Sequence, residues 1–267
     1  MLASLPMYDL PEMRTATNAW WKGLAAALRR AGVDGVPDRL THTDDSETLW
    51  HHPNLLFSQA CGYPFTHPLP NVLQPVATPV YDAPGCLGPR YCSAIVIGAD
   101  HPVSSLQELR GGVCAVNGRN SHSGYNCLRA TLAPLANGGR FFSQVIESGA
   151  HANSLALVAS SEVDVCAIDC VTHALIARYR PQTLAGTRVL AYTQLVPATP
   201  YVTRAGADPD LVSRLQDGLM TALADPQLAD AREALLLVSA EPLSVDDYDV
   251  ILQMEDAARG KGYPEIV

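Results

Sequence analysis

The densest chemistry in the chain lies in Asn117-Gly118-Arg119-Asn120-Ser121-His122-Ser123-Gly124-Tyr125, which leaves a strand-like apolar run and enters a helical one. A helix start presents N–H groups with no carbonyl partner and a partial positive charge. Ser121 and Ser123 add hydroxyl donors, and the combination suits phosphate, phosphonate or carboxylate. The same residues equally suit an ordinary serine cap. Further on, Ser148-Gly149-Ala150-His151 repeats the arrangement, a strand ending in a glycine turn with a polar residue at the next helix start. His151 there is either a second donor to the anion or a cap. Asp169, after a third strand-like run, is either a ligand contact or a strand-end cap.

The sulfur-bearing residues allow rival chemistry. Cys170 or Cys61 as nucleophile would need His151 or His173 as base, yet no local cysteine-hydrolase signature is present. Cys166, Cys170 and His173 have spacing that resembles one helical face, but a fourth ligand for zinc is not evident. No catalytic residue, metal or cofactor is therefore expected. The chain has seven cysteines, several in apolar runs such as Val165-Cys166-Ala167, and buried free thiols are the expectation. Cys61 and Cys86, both in turns, could pair only in an oxidising compartment.

These groups need a scaffold, and the chain supplies α/β alternation. With 267 residues, 48% hydrophobic and 17% charged, it has enough apolar material for two α/β lobes. Strands are predicted at 54–58, 72–78, 93–98, 113–117, 141–147, 163–168 and 187–193, each followed by turn residues or a helical stretch. Asp9 and Glu12 have capping-box spacing, and Ala16, Trp20, Leu24 and Leu28 then share one face. That pattern starts the first helix just after Tyr8. Asp208 and Pro209 open another helix, with leucines at 211, 215, 219 and 223, and Asp225-Pro226 starts a further one. The middle block is a self-contained run of β-α alternation, so the prediction is one discontinuous lobe, 1–92 plus 193–267, and one inserted lobe, 93–192. Two extended crossings would join two doubly wound, mainly parallel sheets.

Charge and hydropathy exclude several partners. A net charge of −9 without a basic cluster excludes nucleic acid as the expected partner. No apolar run approaches the roughly 20 residues that cross a bilayer. The first residues lack the basic and apolar segments of a secretory signal. A periplasmic location is expected if a signal has been removed, and a cytoplasmic one otherwise.

Ordered motifs over almost the whole chain add a resemblance. Ala3-Ser4-Leu5-Pro6-Met7-Tyr8-Asp9, Ser58-Gln59-Ala60-Cys61-Gly62-Tyr63-Pro64, the 85–91 segment, Ser121-His122-Ser123-Gly124, Gly149-Ala150-His151 with Ser154, and Asp164 to Asp169 occur in the order and spacing of one family. The chain resembles the phosphate/phosphonate-type periplasmic solute-binding proteins of ABC importers, within the type II periplasmic-binding fold. The resemblance implies a monomer that is not an enzyme, closes around a small anionic ligand and serves an ABC transporter permease. It implies that Ser121, His122, Ser123 and His151 hold the anion, and that Tyr8, Tyr63 and Tyr81 wall the cleft from the other lobe. Members that bind aminoalkyl phosphonates carry carboxylates near positions 171 and 199; this chain has Val171 and Thr199, so a cationic amine tail is not expected. The alternative reading is a cytosolic ligand sensor or enzyme on the same fold.

Overall fold

In the computed structural model, which describes residues 1–43, 45–67, 69, 71–136 and 139–267, the chain divides into two units. The first comprises Met1–Asp82 and Pro197–Asp247, the second Ala83–Val196 and Tyr248–Val267.

The first unit is built on a five-stranded sheet in the order Leu2–Ala3, Leu55–Gln59, Tyr201–Arg204, Leu73–Tyr81 and Leu237–Glu241. Leu55–Gln59 is buried along its whole length, which explains the apolar run Leu55-Leu56-Phe57. Helix Arg14–Arg30 turns Trp20, Trp21, Leu24 and Leu28 inward, burial that stabilises by roughly 1.5–3 kcal/mol for each large side chain. Its partner is helix Pro209–Ala224, where a Cβ at Gly218 would lie 2.9 Å from the Leu28 Cα. Glycine is what lets the two backbones approach. Asp208 caps that second helix as predicted, accepting from the Asp210 N–H at 2.9 Å.

The first helix begins later than Asp9 and Glu12 suggest. Pro6–Tyr8 and Pro11–Met13 form separate 3₁₀ turns, and the α-helix proper starts at Arg14 with no side-chain cap. Asp9 instead takes His42 Nδ1 at 2.7 Å and lies 3.7 Å from Arg14. Each proline fixes its own backbone angle and removes a donor, so the prolines break the segment into short turns.

The second unit also has a five-stranded sheet, in the order Gln144–Glu147, Val113–Val116, Val165–Asp169, Ser93–Gly98 and Thr187–Tyr192. Both sheets are mixed where mainly parallel ones were predicted. Ser93–Gly98 runs antiparallel to both its neighbours, as Tyr201–Arg204 does in the first unit. Each is the first strand of more than two residues after the chain passes from one unit to the other. It enters the sheet without the crossover helix that would make it parallel.

Residues 248–267, expected with the first lobe, belong to the second unit. Ala258, Tyr263 and Ile266 join Ile95, Leu128 and Phe141 in one buried cluster. Arg129 and Glu255, only 4% and 5% exposed, form an ion pair at 3.2 Å. The terminal segment also accepts the Phe141 N–H on the Val267 carbonyl at 2.6 Å. Sequence adjacency assigned it to the preceding lobe, whereas buried charge pairing and aromatic packing place it here. The chain thus passes between units at 82/83, at 196/197 and a third time at 247/248.

Candidate functional site

In the second unit the anion candidates sit on two strand-to-helix turns. After Val113–Val116 the chain makes a loop, then a wide turn, His122–Asn126, that leads into helix Cys127–Ala136. Ser121 opens the turn: its Oγ accepts the Gly124 N–H at 3.1 Å and its carbonyl accepts the Asn126 N–H at 3.1 Å. Such i→i+5 turns are uncommon and concentrate at functional positions. A Cβ at Gly124 would overlap Asn117 Oδ1 and come within 3.1 Å of the His151 ring. The glycine therefore lets the two turns meet.

The second turn follows Gln144–Glu147. Gly149 adopts φ +82°, a conformation natural to glycine, and Ser148 Oγ lies 2.6 Å from Ser154 Oγ. Helix His151–Ala159 then begins without a side-chain cap. Its first residue reaches back, with His151 Nε2 3.1 Å from Ser123 Oγ. His151 Nδ1 is enclosed near the Ala167 backbone but makes no hydrogen bond of good geometry. Burial pushes the imidazole down to about 4, with the Ala167 backbone acting in the opposite direction, so the ring is neutral at pH 7. Ser123 is fixed from the other side by Ser93, whose hydroxyl donates to the Ser123 carbonyl at 2.9 Å.

Two of the predicted site residues are turned to structural work. The His122 ring is fully buried; Asn126 Nδ2 lies 3.2 Å from its Nδ1, and its Nε2 faces Cys127 Sγ at 3.5 Å. Asn126 Oδ1 accepts from Arg129 at 2.5 Å and its Nδ2 donates to the Ile251 carbonyl at 3.1 Å, so the ring sits in a closed network. Asp169 caps helix Cys170–Tyr179, one oxygen accepting the Val171 and Thr172 N–H groups at 2.8 and 3.0 Å. Arg119, the cation of the motif, reaches Glu265 at 3.1 Å. The polar set around Ser123 and His151 is therefore made of neutral donors.

In the first unit Tyr8 and Tyr81 meet edge to face at 5.3 Å. Gln59 Nε2 lies 2.9 Å from both Tyr81 Oη and Thr199 Oγ1, and Thr199 Oγ1 lies 3.4 Å from Tyr8 Oη. Leu5, Trp20 and Tyr201 line a pocket with these tyrosines and Gln59. Tyr63 stacks on His67 at 3.7 Å, one turn along its own short helix. Sequence reasoning did not single out Ser93 or Thr199 as positioning groups, and it held Gln59 only as a member of a longer motif.

The cysteines are free thiols throughout. Cys86, weighed as a partner for Cys61, has Cys170 Sγ at 3.6 Å. Among the described residues no group of three His, Cys, Asp or Glu side chains is arranged to hold a metal ion, and no helix is long and apolar enough to cross a membrane.

Comparison with known proteins follows the same lines. PhnD1 from Prochlorococcus marinus in complex with methylphosphonate superposes with a TM-score of 0.79 at 14% identity, over 97% of this chain and 98% of that one. A binding protein component of an ABC phosphonate transporter from Pseudomonas aeruginosa gives 0.78 at 15% identity, over 98% and 87%. A Xanthomonas citri protein bound to ATP gives 0.70 at 18% identity, over 97% of each chain. At such identities these structures share the fold. No curated protein sequence matches the chain. The family described as ABC transporter, phosphonate, periplasmic substrate-binding protein matches residues 54–248. With that match spanning most of its length, the chain belongs to the family of phosphonate periplasmic substrate-binding proteins of ABC transporters.

Proposed function

We propose that the protein binds a phosphonate or phosphate ester in the periplasm, as a monomer and without chemical turnover, and presents it to an ABC permease. The observation that carries the head-group assignment is the meeting of Ser123 Oγ and His151 Nε2 at 3.1 Å, between two helix starts of which the second lacks a side-chain cap. A tetrahedral oxyanion offers several acceptor oxygens, and hydroxyls, a neutral imidazole and helix N–H groups supply donors without a competing cation. The bound ligands of the Prochlorococcus and Xanthomonas proteins, methylphosphonate and ATP, both carry such a head.

Tyr8, Tyr63 and Tyr81 are the further ligand contacts in this reading. Val171 and Thr199 leave no carboxylate at the positions that would pair an amine, which supports an uncharged organic substituent. One oxygen of Asp169 serves its helix cap, and the His122 side chain is withdrawn into the core.

The test is a thermal-shift and calorimetry screen of phosphate, alkyl and aryl phosphonates, phosphate monoesters, sulfonates and carboxylates. A ligand at 100 times its dissociation constant adds about 2.7 kcal/mol, a rise of roughly 5–10 °C for a chain of this size. A rise confined to phosphonates or phosphate esters is the expected result. Equal responses to acetate and methylphosphonate, or none to any tetrahedral anion, would overturn the assignment.

A further inference from the structure

Three of the seven cysteines gather at one helix start in the second unit. Cys170 is the first residue of helix Cys170–Tyr179, directly after the Asp169 cap. Its Sγ lies 3.6 Å from Cys86 Sγ, and its backbone N–H donates to the Cys92 carbonyl at 3.0 Å. Gly85, at φ +98°, closes the loop over them. A Cβ there would stand 2.7 Å from Cys92 Sγ and 3.3 Å from Cys170 Sγ, so the loop passes over both sulfurs only because it carries no side chain. Cys92 and Cys170 are buried, whereas Cys86 is partly exposed.

The remaining thiols are placed otherwise. Cys114, Cys127 and Cys166 are buried in the second unit's interior, and Cys61 precedes the short helix of the first unit. Burial pushes the Cys114 and Cys166 thiols up, which keeps them protonated and inert.

We propose that Cys86 and Cys170 form a peroxide-reactive pair, with Cys170 the attacking sulfur and Cys86 the resolving one. Hydrogen bonding with Cys86 and then Cys92 lowers Cys170 against the opposing effect of burial, while Cys86 and Cys92 are themselves pushed up. Cys170 also stands at a helix start, where the partial positive charge favours a thiolate. Partly exposed Cys86 marks the side from which a molecule the size of water arrives.

The chemistry balances with hydrogen peroxide as oxidant. The Cys170 thiolate attacks one peroxide oxygen; an S–O bond forms, the O–O bond breaks, and the departing hydroxide takes a solvent proton to become water. The Cys86 sulfur then attacks the Cys170 sulfenic acid. An S–S bond forms, the S–O bond breaks, and the hydroxyl leaves as a second water with the Cys86 proton. Two thiols lose two electrons in all, and one peroxide gains them. The sulfurs must close from 3.6 Å to about 2.05 Å, a side-chain adjustment.

The experiment treats the folded, full chain with hydrogen peroxide, quenches it, unfolds it and counts alkylatable thiols by intact mass, followed by peptide mapping. The expected result is a fall from the seven thiols of the untreated chain by two, with a Cys86–Cys170 cross-linked peptide that dithiothreitol reverses. Seven surviving thiols, a cross-link through Cys61, or Cys170 recovered as sulfinic acid without a cross-link would overturn the proposal. In the double variant Cys86→Ser/Cys92→Ser the sulfenic acid has neither neighbouring thiol to resolve it, so a dimedone adduct should appear on Cys170; its absence in a variant that melts like the parent overturns the assignment of Cys170. Neither readout depends on the ligand screen, so this proposal and the head-group assignment fail separately.

Discussion

The second unit offers hydroxyls, a neutral imidazole and helix N–H groups, set by two turns in which Gly124 and Gly149 have no substitute. The first unit offers an aromatic edge, Tyr8 against Tyr81, tied by Gln59 and Thr199. A polar set of fixed geometry discriminates by leaving donors unpaired against the wrong head group. An aromatic wall discriminates weakly by size. The division expected is therefore one unit that chooses the head group and another that tolerates a range of substituents.

The sharpest blow to that division falls on the support of the Ser121–Asn126 turn. Glu255→Ala leaves Arg129 as a buried cation without its carboxylate beside Asn126, which should cost about 3–5 kcal/mol and lower Tm by roughly 6–20 °C. Calorimetry of the folded variant should also show weaker head-group binding. A Tm within 2 °C of the parent would mean that the terminal helix does not hold the turn. Next in size, Ser123→Ala should weaken phosphonate binding about 10- to 100-fold, the loss of a hydrogen bond to a charged group, with Tm little changed. Unchanged affinity would remove this turn from the site.

A smaller effect separates the units by pH. Burial holds the His151 imidazole neutral down to about 4, against about 6.5 in an unfolded chain. Between those values the unfolded state binds the extra proton, so this contribution to stability is complete above pH 6.5 and is lost as pH falls toward 4. His151→Gln should flatten that limb by a few degrees in Tm, whereas Tyr8→Phe should leave it unaltered. Smallest of all, Tyr81→Phe removes a hydroxyl near Gln59 and should change methylphosphonate affinity by about threefold or less, with a shift in preference among longer substituents. An equal loss for every ligand would place Tyr81 on the head group and erase the distinction.

Residues whose local chemistry suffices were legible in the sequence. Strand Ser93–Gly98 and the Asp208-Pro209 helix start appear where they were predicted, because an apolar run of strand length and an Asp-Pro cap need no distant partner. Strands Tyr201–Arg204 and Leu237–Glu241 were not predicted. The first is four residues long and the second carries exposed Val238, so neither shows clean alternation. In the site, the helix-start serines were legible as a motif and Asp169 as either a ligand contact or a cap, but the inward turn of His122 was not. A polar residue in a motif looks the same whether it faces a ligand or the core. What decides is a neighbour far along the chain, such as Ile251 for the Asn126 side chain that meets the His122 ring.

The third passage of the chain bears on the order of folding. Every residue of the first unit has been synthesised once Asp247 has, whereas the second still lacks the helix that buries Glu255 and the tail that carries Tyr263 and Ile266. In chain order the tyrosine-bearing unit is therefore complete first. The core behind the serine turns needs residues 248–267, and it closes through contacts of long sequence separation, the kind that fold slowly.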